Sequence, residues 1–381
     1  MQTPLKLGLL ADYLEEGWPS MDLFAEMLHA QLQHGGCPSV TSTLIRPPFR
    51  RRLSLLPRWG TSRTAFNADR LWNRFLDYPA HLRRIRRQCD WFHLCDHSYA
   101  QLLLHLPTHR TGVYCHDLCA FESLLGTSTT RFPLWYKAIM RRIWRGFTRA
   151  SLVFYVSPST GRQLRSLHVF PEDRLIHCPP GIAEEFVLEP PHVPLSFSLP
   201  FAPGTPYLLH VGSCVTRKRI DVLLDVFAQV RQHRPDVKLL QIGGPFTAAQ
   251  REQMQRLRLT SAVVQLQNLS RLELAHCYRQ ASLVLQTSEM EGMGMPVIEA
   301  LACGALVLAT DLPVFHEAAG PALAFSPLAD IDHWTETALR LLDSPSSAPP
   351  LSVRLSHIHR YRWSTHAATI AQTYQRLAHA T

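Results

Sequence analysis

Short apolar runs that end in polar residues recur along the first half of the chain. The opening run, LKLGLLADY, is followed by MDLFAEMLHAQLQHGG, whose apolar positions recur at helical spacing before a glycine pair. The runs CDWFHLCDHS, TGVYCHD and ASLVFYVS come later, with helical patterns between them. This alternation predicts βα repeats built around a parallel sheet.

A proline-rich stretch without periodicity separates this half from a second series of strands and helices. It reads EPPHVPLSFSLPFAPGTPY from Glu189 to Tyr207, which indicates a linker between domains. The second series comprises TPYLLHVG, a helix from about Arg219 to Arg231, VKLLQIGG, VVQLQ, ASLVLQTS and ALVLAT. The chain closes with another helical pattern, HAATIAQTYQRLAHA.

These patterns predict an α/β fold made of two Rossmann-like, doubly wound domains in tandem. We place the first domain at 1–188, the linker at 189–206 and the second domain at 207–360. A C-terminal helix at 361–381 is expected to pack back toward the first domain. The length of 381 residues also favours two hydrophobic cores over one. Ligands of such sheets bind at the carboxyl ends of the strands, so the candidate chemistry is expected there.

Composition narrows the setting of the protein. Hydrophobic residues make up 46% of the chain and charged residues 18%, as in globular proteins. No apolar run approaches the roughly 20 residues of a spanning helix, and the N-terminal segment lacks the pattern of a signal peptide. The 9 cysteines are scattered singly, which suits a reducing compartment. We therefore expect a cytoplasmic protein.

The net charge of +9 is concentrated in the first half of the chain. Residues 1–190 carry 23 basic and 16 acidic side chains (23 − 16 = +7), whereas the remainder carries 16 and 14 (16 − 14 = +2). The segment RFPLWYKAIMRRIWRGFTR places aromatic residues on one helical face and basic residues on another. This favours an anionic membrane surface at the inner face of the membrane, although packing of the apolar face on the sheet explains the helix equally well. No nucleic-acid motif accompanies the arginines, so nucleic acid is not an expected partner.

The candidate chemistry centres on SEMEGMGMPVIEALACG, between Ser288 and Gly304. The preceding run, ASLVLQTS, predicts a buried strand. Gly292 and Gly294 permit a sharp turn, and Pro296 suits the start of a helix that stops at Gly304. The unpaired N–H groups at the start of such a helix form an anion site.

Two carboxylates, Glu291 and Glu299, bracket this turn. A dinucleotide site is one interpretation, because Gly292-Met293-Gly294 precedes a helix. However, Val297 stands at the third glycine position, and Glu291 would repel a pyrophosphate laid along the turn. Carboxylates accept hydrogen bonds from hydroxyl groups. A ligand with a diol near each glutamate and a diphosphate between them would fit this arrangement. A nucleotide sugar is such a ligand, with the sugar hydroxyls on one side and the ribose on the other.

The sequence EGMGMPVIEA closely resembles the E-x7-E signature of the retaining glycosyltransferases of family 4, which have the GT-B fold of two Rossmann-like domains facing across a cleft. The segments HVGSCVTRKRIDVLLDVFAQV, VVQLQNLSRLELAHCYRQASLVLQTSEMEGMG, VFYVSPSTGRQLRS and LIHCPPGIAEEF resemble further parts of that family, so the resemblance covers nearly the whole chain. It implies transfer of a UDP- or GDP-linked sugar to an acceptor hydroxyl with retention, without a metal or other cofactor. It also implies a role in cell-surface glycan or glycolipid synthesis.

The resemblance assigns roles to the residues around the turn. It implies that Glu291 contacts the donor sugar and that Glu299 holds the ribose. The residues between them would approach the sugar and phosphate with their backbone; these are Gly292, Met293, Gly294, Met295 and Pro296.

The basic loop after YLLHVG is the second part of the site that the resemblance implies. Lys218 matches the lysine that contacts the diphosphate, and Arg217 is a second candidate cation whose planar guanidinium suits phosphate oxygens. Gly212 and Ser213 lie between the strand and this loop and are expected to border the donor. Ser213 stands where many relatives carry an arginine, so either Arg217 supplies that charge or the contact with the diphosphate is weaker.

Two residues of the first half are further candidates. His116 ends the strand TGVYC, and the resemblance implies that it faces the acceptor near the reacting centre; a lone histidine is also commonly structural. Gly17 falls where relatives place a glycine-rich turn near the diphosphate, although the usual paired glycines are absent.

Two short motifs that resemble metal sites have simpler explanations. Asp330-Ile331-Asp332 precedes a helical pattern and is interpreted as a helix cap. Cys115-His116-x-x-Cys119 lacks a second pair of ligands at zinc spacing.

Three other functions are compatible with parts of this pattern. They are a nucleotide-sugar 2-epimerase, a nicotinamide-dependent dehydrogenase, which Val297 and Glu291 disfavour, and a catalytically silent protein that binds nucleotide sugars. The partners that we expect are a nucleotide-sugar donor and an acceptor that is a glycan, a lipid-linked molecule or a small molecule.

Overall fold

The computed structural model describes residues 4–34, 37–56, 62–126, 131–189 and 196–380. The chain divides into two compact units: residues 1–181 together with 362–381 form unit 1, and residues 182–361 form unit 2. Within the described ranges, each unit is built on one six-stranded sheet.

The sheet of unit 1 is parallel throughout, with the strand order β2-β1-β3-β4-β5-β6. Its strands are β1 (Leu5–Leu10), β2 (Val40–Ile45), β3 (Trp91–Leu94), β4 (Thr111–Cys115), β5 (Leu152–Tyr155) and β6 (Leu175–His177). In this order the chain reverses its direction of winding between β1 and β3. Such a topological switch point opens a crevice at the carboxyl ends of the two strands.

Helices cover the sheet of unit 1, whose strands β3, β4 and β5 are buried along their whole length. The helices are α1 (Pro19–His34), α2 (Arg63–Trp72), α3 (Tyr78–Ile85), α4 (Glu122–Leu125), α5 (Leu134–Phe147), α6 (Pro158–Ser166) and α14 (Trp363–Ala380), with a π-helical turn at Asn73–Asp77 between α2 and α3. The C-terminal helix α14 packs on α1 and so lies in unit 1. Phe92, Val113, Phe147 and Val153 are fully buried in the core of this unit.

The sheet of unit 2 is also parallel, with the strand order β12-β11-β10-β7-β8-β9. Its strands are β7 (Tyr207–Val211), β8 (Lys238–Ile242), β9 (Val263–Leu266), β10 (Leu283–Gln286), β11 (Val307–Thr310) and β12 (Ala324–Ser326). Its helices are α7 (Ile220–His233), α8 (Ala248–Arg256), α9 (Arg271–Gln280), α10 (Met295–Ala302), α11 (Pro313–Ala319), α12 (Ile331–Asp343) and α13 (Leu351–Ile358). The switch point of this sheet lies between β7 and β10.

Alternate residues of the strands in unit 2 enter cores on opposite faces of the sheet. Leu209 and Leu240 pack in one apolar cluster, whereas Leu208 and Leu239 pack in the other. A parallel sheet covered on both faces favours strands that are largely apolar, as in the runs YLL of β7 and LVL of β10.

The segment predicted as a linker, 189–206, differs in the structure. Its described part forms no helix or strand, but Phe197, Leu199 and Phe201 pack against the core of unit 2. Unit 2 therefore begins at Ile182 rather than at residue 207. The physical reason is that apolar side chains at every second position bury themselves although the prolines prevent a regular strand. Residues 190–195 of the predicted linker lie outside the described residues.

Helix α5, predicted to carry aromatic residues on one face and basic residues on another, is exposed at its N-terminal end and partly buried elsewhere. Ile143 and Phe147 of α5 are buried, and Ile139 packs against the core, as in the alternative that the sequence left open. At its N-terminal end, Leu134 is 82% exposed and Trp135 63% exposed. None of the helices in the described part of the chain is both long and apolar enough to cross a membrane.

Candidate functional site

The loops that follow β7 and β10 meet at the switch point of unit 2. The backbone N–H of Glu289 donates to the carbonyl oxygen of Arg217 at 2.9 Å. The hydroxyl of Thr287 donates to the carbonyl oxygens of Lys218 at 3.0 Å and Arg219 at 3.2 Å. These bonds hold the basic loop beside the glutamate turn, although the two are some 70 residues apart in sequence.

Glu291 lies at the centre of this junction and accepts hydrogen bonds from four side chains. The ammonium of Lys218 donates to Oε1 at 2.5 Å, and the guanidinium of Arg217 donates to Oε2 at 3.3 Å. Ser288 and Gln286 donate to Oε1 at 2.7 Å and 3.0 Å. The side chains of Glu291 and Lys218 are each only 7% exposed, so this is a largely desolvated ion pair.

The charges around Glu291 decide its protonation state. Burial acts to raise the pKa of its carboxyl, but Lys218 and Arg217 outweigh burial and hold that pKa below its ordinary value. Glu291 is therefore a carboxylate at neutral pH. Breaking one side of such a buried pair is strongly destabilising, because the remaining charge is left without a partner.

The turn after Glu291 requires glycine at one position. Gly294 adopts the left-handed conformation (φ 81°, ψ 49°) immediately before α10. A Cβ atom there would lie 2.5 Å from Cε1 of Phe315, so both the backbone and the neighbouring ring exclude a side chain. Pro296 occupies the second position of α10 and Met293 is buried. The N–H of Met295, the first residue of α10, has no acceptor within the helix and is available to an anion, whereas Pro296 has no N–H and Val297 and Ile298 donate to the carbonyl oxygen of Gly294.

Glu299 lies on α10, one turn into the helix, and its environment is the opposite of that of Glu291. Burial raises the pKa of its carboxyl to about 7, and the hydroxyl of Tyr278, which donates to Oε2 at 3.2 Å, acts in the other direction. Tyr278 comes from α9 and is fully buried. Glu299 thus changes its charge near neutral pH, whereas Glu291 does not.

The third basic residue of the loop, Arg219, has a different role from its two neighbours. It adopts a left-handed conformation (φ 48°) at the start of α7, which is unusual for a residue with a side chain. Its guanidinium pairs with Asp221 at 2.8 Å and with Glu289 at 3.3 Å. Arg219 therefore shapes the loop, while Arg217 and Lys218 both reach Glu291.

Sequence reasoning missed a buried row of polar side chains beneath this loop. His210, Gln241 and Gln265 are aligned on β7, β8 and β9. The amide of Gln265 donates to Gln241, which donates to the carbonyl oxygen of Gly212 at 2.8 Å and so fixes the loop that Ser213 continues. His210 is fully buried; burial and the charge of Lys218 lower its pKa to about 3, so its ring is neutral.

His116 belongs to unit 1, where it follows β4. Its Nε2 lies 2.9 Å from the carbonyl oxygen of Cys95, so Nε2 carries a proton. Burial lowers the pKa of its imidazole despite the opposing charge of Asp96, which leaves Nδ1 with a lone pair at neutral pH. The ring also packs against Phe24 and Tyr114. Nε2 of His116 therefore makes a structural hydrogen bond, while the lone pair of Nδ1 can accept one from another group.

Two buried carboxyl groups near the switch point of unit 1 were also missed. Asp12 follows β1 and Asp96 follows β3. Burial and the charge of Asp96 raise the pKa of Asp12 well above its ordinary value, whereas the neighbouring histidines, His97 and His116, help to lower that of Asp96 despite its burial. The signal in the sequence was an acidic residue directly after each of two apolar runs. Gly17, the remaining candidate, ends a short 3-10 turn in unit 1 with φ 69°.

The motifs that resembled metal sites have ordinary structural explanations. The carboxylate of Asp330 accepts the backbone N–H of His333 at 3.1 Å and caps α12, as predicted. Cys115 is buried, and its thiol donates to the carbonyl oxygen of Asp117. Across the described ranges, no three histidine, cysteine, aspartate or glutamate side chains are grouped so that they could hold a metal ion.

Comparison with known sequences gives the chemistry of unit 2 a context. Residues 194–356 match the family described as glycosyl transferases group 1. The chain is 30% identical to the D-inositol 3-phosphate glycosyltransferase of Pseudarthrobacter chlorophenolicus over 184 residues, which are 45% of this chain and 43% of that protein. It is 29% identical to the phosphatidyl-myo-inositol mannosyltransferase of Mycolicibacterium smegmatis over 171 residues, 43% of each chain. The chain thus spans about half the length of the curated relatives that it matches.

Solved structures resemble the chain over nearly its whole length. The sucrose-phosphate synthase of Thermosynechococcus elongatus gives a TM-score of 0.76 at 18% identity and covers 99% of this chain and 100% of that one. Anabaena HepE in complex with UDP and glucose gives 0.68 at 14% identity, with 98% and 100% covered. The predicted fold class, two doubly wound α/β domains of GT-B type, is confirmed.

Proposed function

We propose that the chain is a retaining glycosyltransferase that moves a sugar from a nucleotide sugar, UDP- or GDP-linked, to an acceptor hydroxyl. One observation carries the proposal: at the switch point of unit 2, two cations lie within hydrogen-bonding distance of one carboxylate, and a helix begins four residues after that carboxylate. The match of residues 194–356 to glycosyl transferases group 1 supports it. The structurally similar protein HepE, whose structure is a complex with UDP and glucose, also supports it.

Each residue of the site has a task in this reaction. Lys218, Arg217 and the N–H of Met295 at the start of α10 hold the diphosphate and stabilise the charge that grows on it as the bond to the sugar breaks. Glu291 accepts hydrogen bonds from the sugar hydroxyls, and Glu299 accepts them from the ribose diol. Since fixed cations hold the diphosphate, the proposed reaction uses no metal.

Retention follows, in the proposal, from attack on the face that the diphosphate leaves. Glu291 accepts hydrogen bonds from four side chains, which engage lone pairs that an attack on carbon would need, so it is proposed to bind the sugar rather than to attack it. His116 is proposed to accept a hydrogen bond from the acceptor hydroxyl through Nδ1, because its Nε2 is engaged by Cys95.

The acceptor is proposed to be a glycan or a lipid-linked molecule in cell-surface synthesis. The name of the mycobacterial relative, a phosphatidyl-myo-inositol mannosyltransferase, supports a lipid acceptor. The exposed pair Leu134 and Trp135 at the start of a basic helix supports attachment to an anionic membrane from the cytoplasmic side.

The test is transfer of label from a panel of UDP- and GDP-sugars to a lipid extract, with E291Q as the variant and E289Q as its control. Glu289 carries the same charge two residues away but pairs with Arg219 instead. We expect label in the lipid fraction with wild type and E289Q and its loss with E291Q. Release of an epimerised nucleotide sugar without transfer to lipid would contradict the proposal. Binding of the nucleotide sugars without any reaction would also contradict it.

A further inference from the structure

One of the two carboxylate oxygens of Glu291, Oε1, is fully engaged, because Lys218, Ser288 and Gln286 all donate to it. A carboxylate offers about four lone-pair sites. Four side chains already donate to Glu291: Lys218, Arg217, Ser288 and Gln286. Three of these donors share Oε1 and only Arg217 donates to Oε2, so a sugar hydroxyl can bind at Oε1 only after one of its donors has moved away.

The two donors that can leave are the cations. Ser288 and Gln286 lie on the same strand and turn as Glu291, three and five residues away, and their contacts are local. Lys218 and Arg217 come from the other loop. They are also the groups that the proposed function assigns to the diphosphate. A diphosphate and Glu291 are thus alternative anionic partners for one pair of cations.

We propose that Glu291 is an internal competitor for the diphosphate and that it makes the site discriminate between a complete nucleotide sugar and the spent nucleoside diphosphate. This inference rests on the proposed function. A nucleoside diphosphate that takes Lys218 and Arg217 leaves Glu291 as a desolvated carboxylate without its cations, which opposes binding. A complete donor brings sugar hydroxyls that hydrogen-bond to Glu291 as the cations leave it.

The same exchange favours product release. Once the sugar has been transferred, its hydroxyls leave Glu291, and the carboxylate again attracts Lys218 and Arg217. The nucleoside diphosphate then loses its cations to a neighbour that is already in place, 2.5 Å from the lysine in the free protein. If Glu291 only held the basic loop in place, it would stay paired with Lys218 and Arg217 throughout the reaction. It would then not lower the affinity for the nucleoside diphosphate relative to that for the nucleotide sugar.

The test is the affinity of wild type, E291Q and E289Q for UDP, GDP and their sugars by titration calorimetry. Glutamine keeps the size of the side chain but removes the charge that competes with phosphate. We expect E291Q to bind the free nucleoside diphosphate about tenfold more tightly than wild type does, and to bind the nucleotide sugar no more tightly than the nucleoside diphosphate. E289Q should behave as wild type for both ligands.

A second measurement needs no variant and covers the case in which E291Q folds poorly, which circular dichroism would reveal. Wild type should bind its nucleotide sugar at least as tightly as the matching nucleoside diphosphate. The inference is overturned if wild type binds the nucleoside diphosphate more tightly than the nucleotide sugar, or if folded E291Q binds the nucleoside diphosphate with unchanged or lower affinity than wild type. Absence of any nucleotide binding by wild type would instead contradict the proposed function itself.

Discussion

Replacing Glu299 by glutamine should stabilise the free protein above pH 7, although the residue belongs to the proposed donor site. Burial raises the pKa of this carboxyl to about 7, and the single hydrogen bond from Tyr278 only partly opposes that rise. In the unfolded chain the same carboxyl has its ordinary pKa of 4.5. The folded state therefore holds a proton that the unfolded state releases, and stability declines as the pH rises from about 4.5 to about 7.

The magnitude follows from the two pKa values. Their difference corresponds to about 3 kcal/mol of free energy of unfolding that is present at pH 4 and lost by pH 8. Glutamine has nearly the same shape as a protonated glutamate and does not ionise. We therefore expect E299Q to exceed wild type by less than about 1 kcal/mol near pH 5 and by up to about 3 kcal/mol at pH 8, about 6–12 °C in Tm for a unit of this size.

The assay is urea and thermal unfolding of wild type, E299Q and E289Q at half-unit steps from pH 5 to 8.5. Glu289 is partly exposed and paired with Arg219, so its variant reports the effect of removing a charge without relieving burial. Donor affinity should fall in E299Q at pH 8, since an amide accepts fewer hydroxyl hydrogen bonds than a carboxylate. An E299Q protein that is no more stable than wild type at pH 8 would refute the reasoning.

Three further predictions concern other parts of the chain. Gly294→Ala should lower the free energy of unfolding in urea by about 1–3 kcal/mol and weaken donor binding, because the new Cβ would collide with Phe315. Gly204→Ala is the control, because Gly204 has a similar φ but open space around it. Equal losses of stability in both variants would show that the contact with the Phe315 ring does not matter. His116→Gln should slow transfer at least tenfold while donor affinity by calorimetry stays unchanged, and parallel losses of both would contradict a role toward the acceptor. Trp135→Ser should reduce co-sedimentation with anionic vesicles without lowering Tm, because the indole is 63% exposed; unchanged sedimentation would contradict the membrane proposal.

The strands, the helices and the glutamate turn could be predicted because their signals are local. The turn, α10 and the next strand follow one another within 23 residues, from Ser288 to Thr310, and each has its own pattern of glycine, proline or apolar residues. The predicted helix from about Arg219 to Arg231 is observed at Ile220–His233. Boundaries shifted where packing, rather than local pattern, decides them, as in the proline-rich segment.

Contacts between distant segments could not be predicted in the same way. The family resemblance assigned Lys218 and Glu291 to one site, but nothing in either segment indicates that the two side chains bind each other in the free protein. Tyr278 is 21 residues before Glu299 on another helix, and no spacing rule connects them. The row formed by His210, Gln241 and Gln265 depends on the register of three strands. Such properties follow from tertiary structure alone.

The opposite electrostatics of the two glutamates follow from what faces each of them. Both lie at one turn and both are largely removed from water, yet the pKa of Glu291 falls because two cations face it, while that of Glu299 rises because only a hydroxyl does. An ionised Glu291 keeps the cations in place while the site is empty. A Glu299 that is protonated about half the time near pH 7 avoids the cost of a second buried charge until a diol arrives to hydrogen-bond it. Because the pKa values of Glu291 and Glu299 are separated, the empty site carries little uncompensated buried charge and remains stable. When a donor binds, both carboxylates can be ionised and can accept hydrogen bonds from its hydroxyl groups.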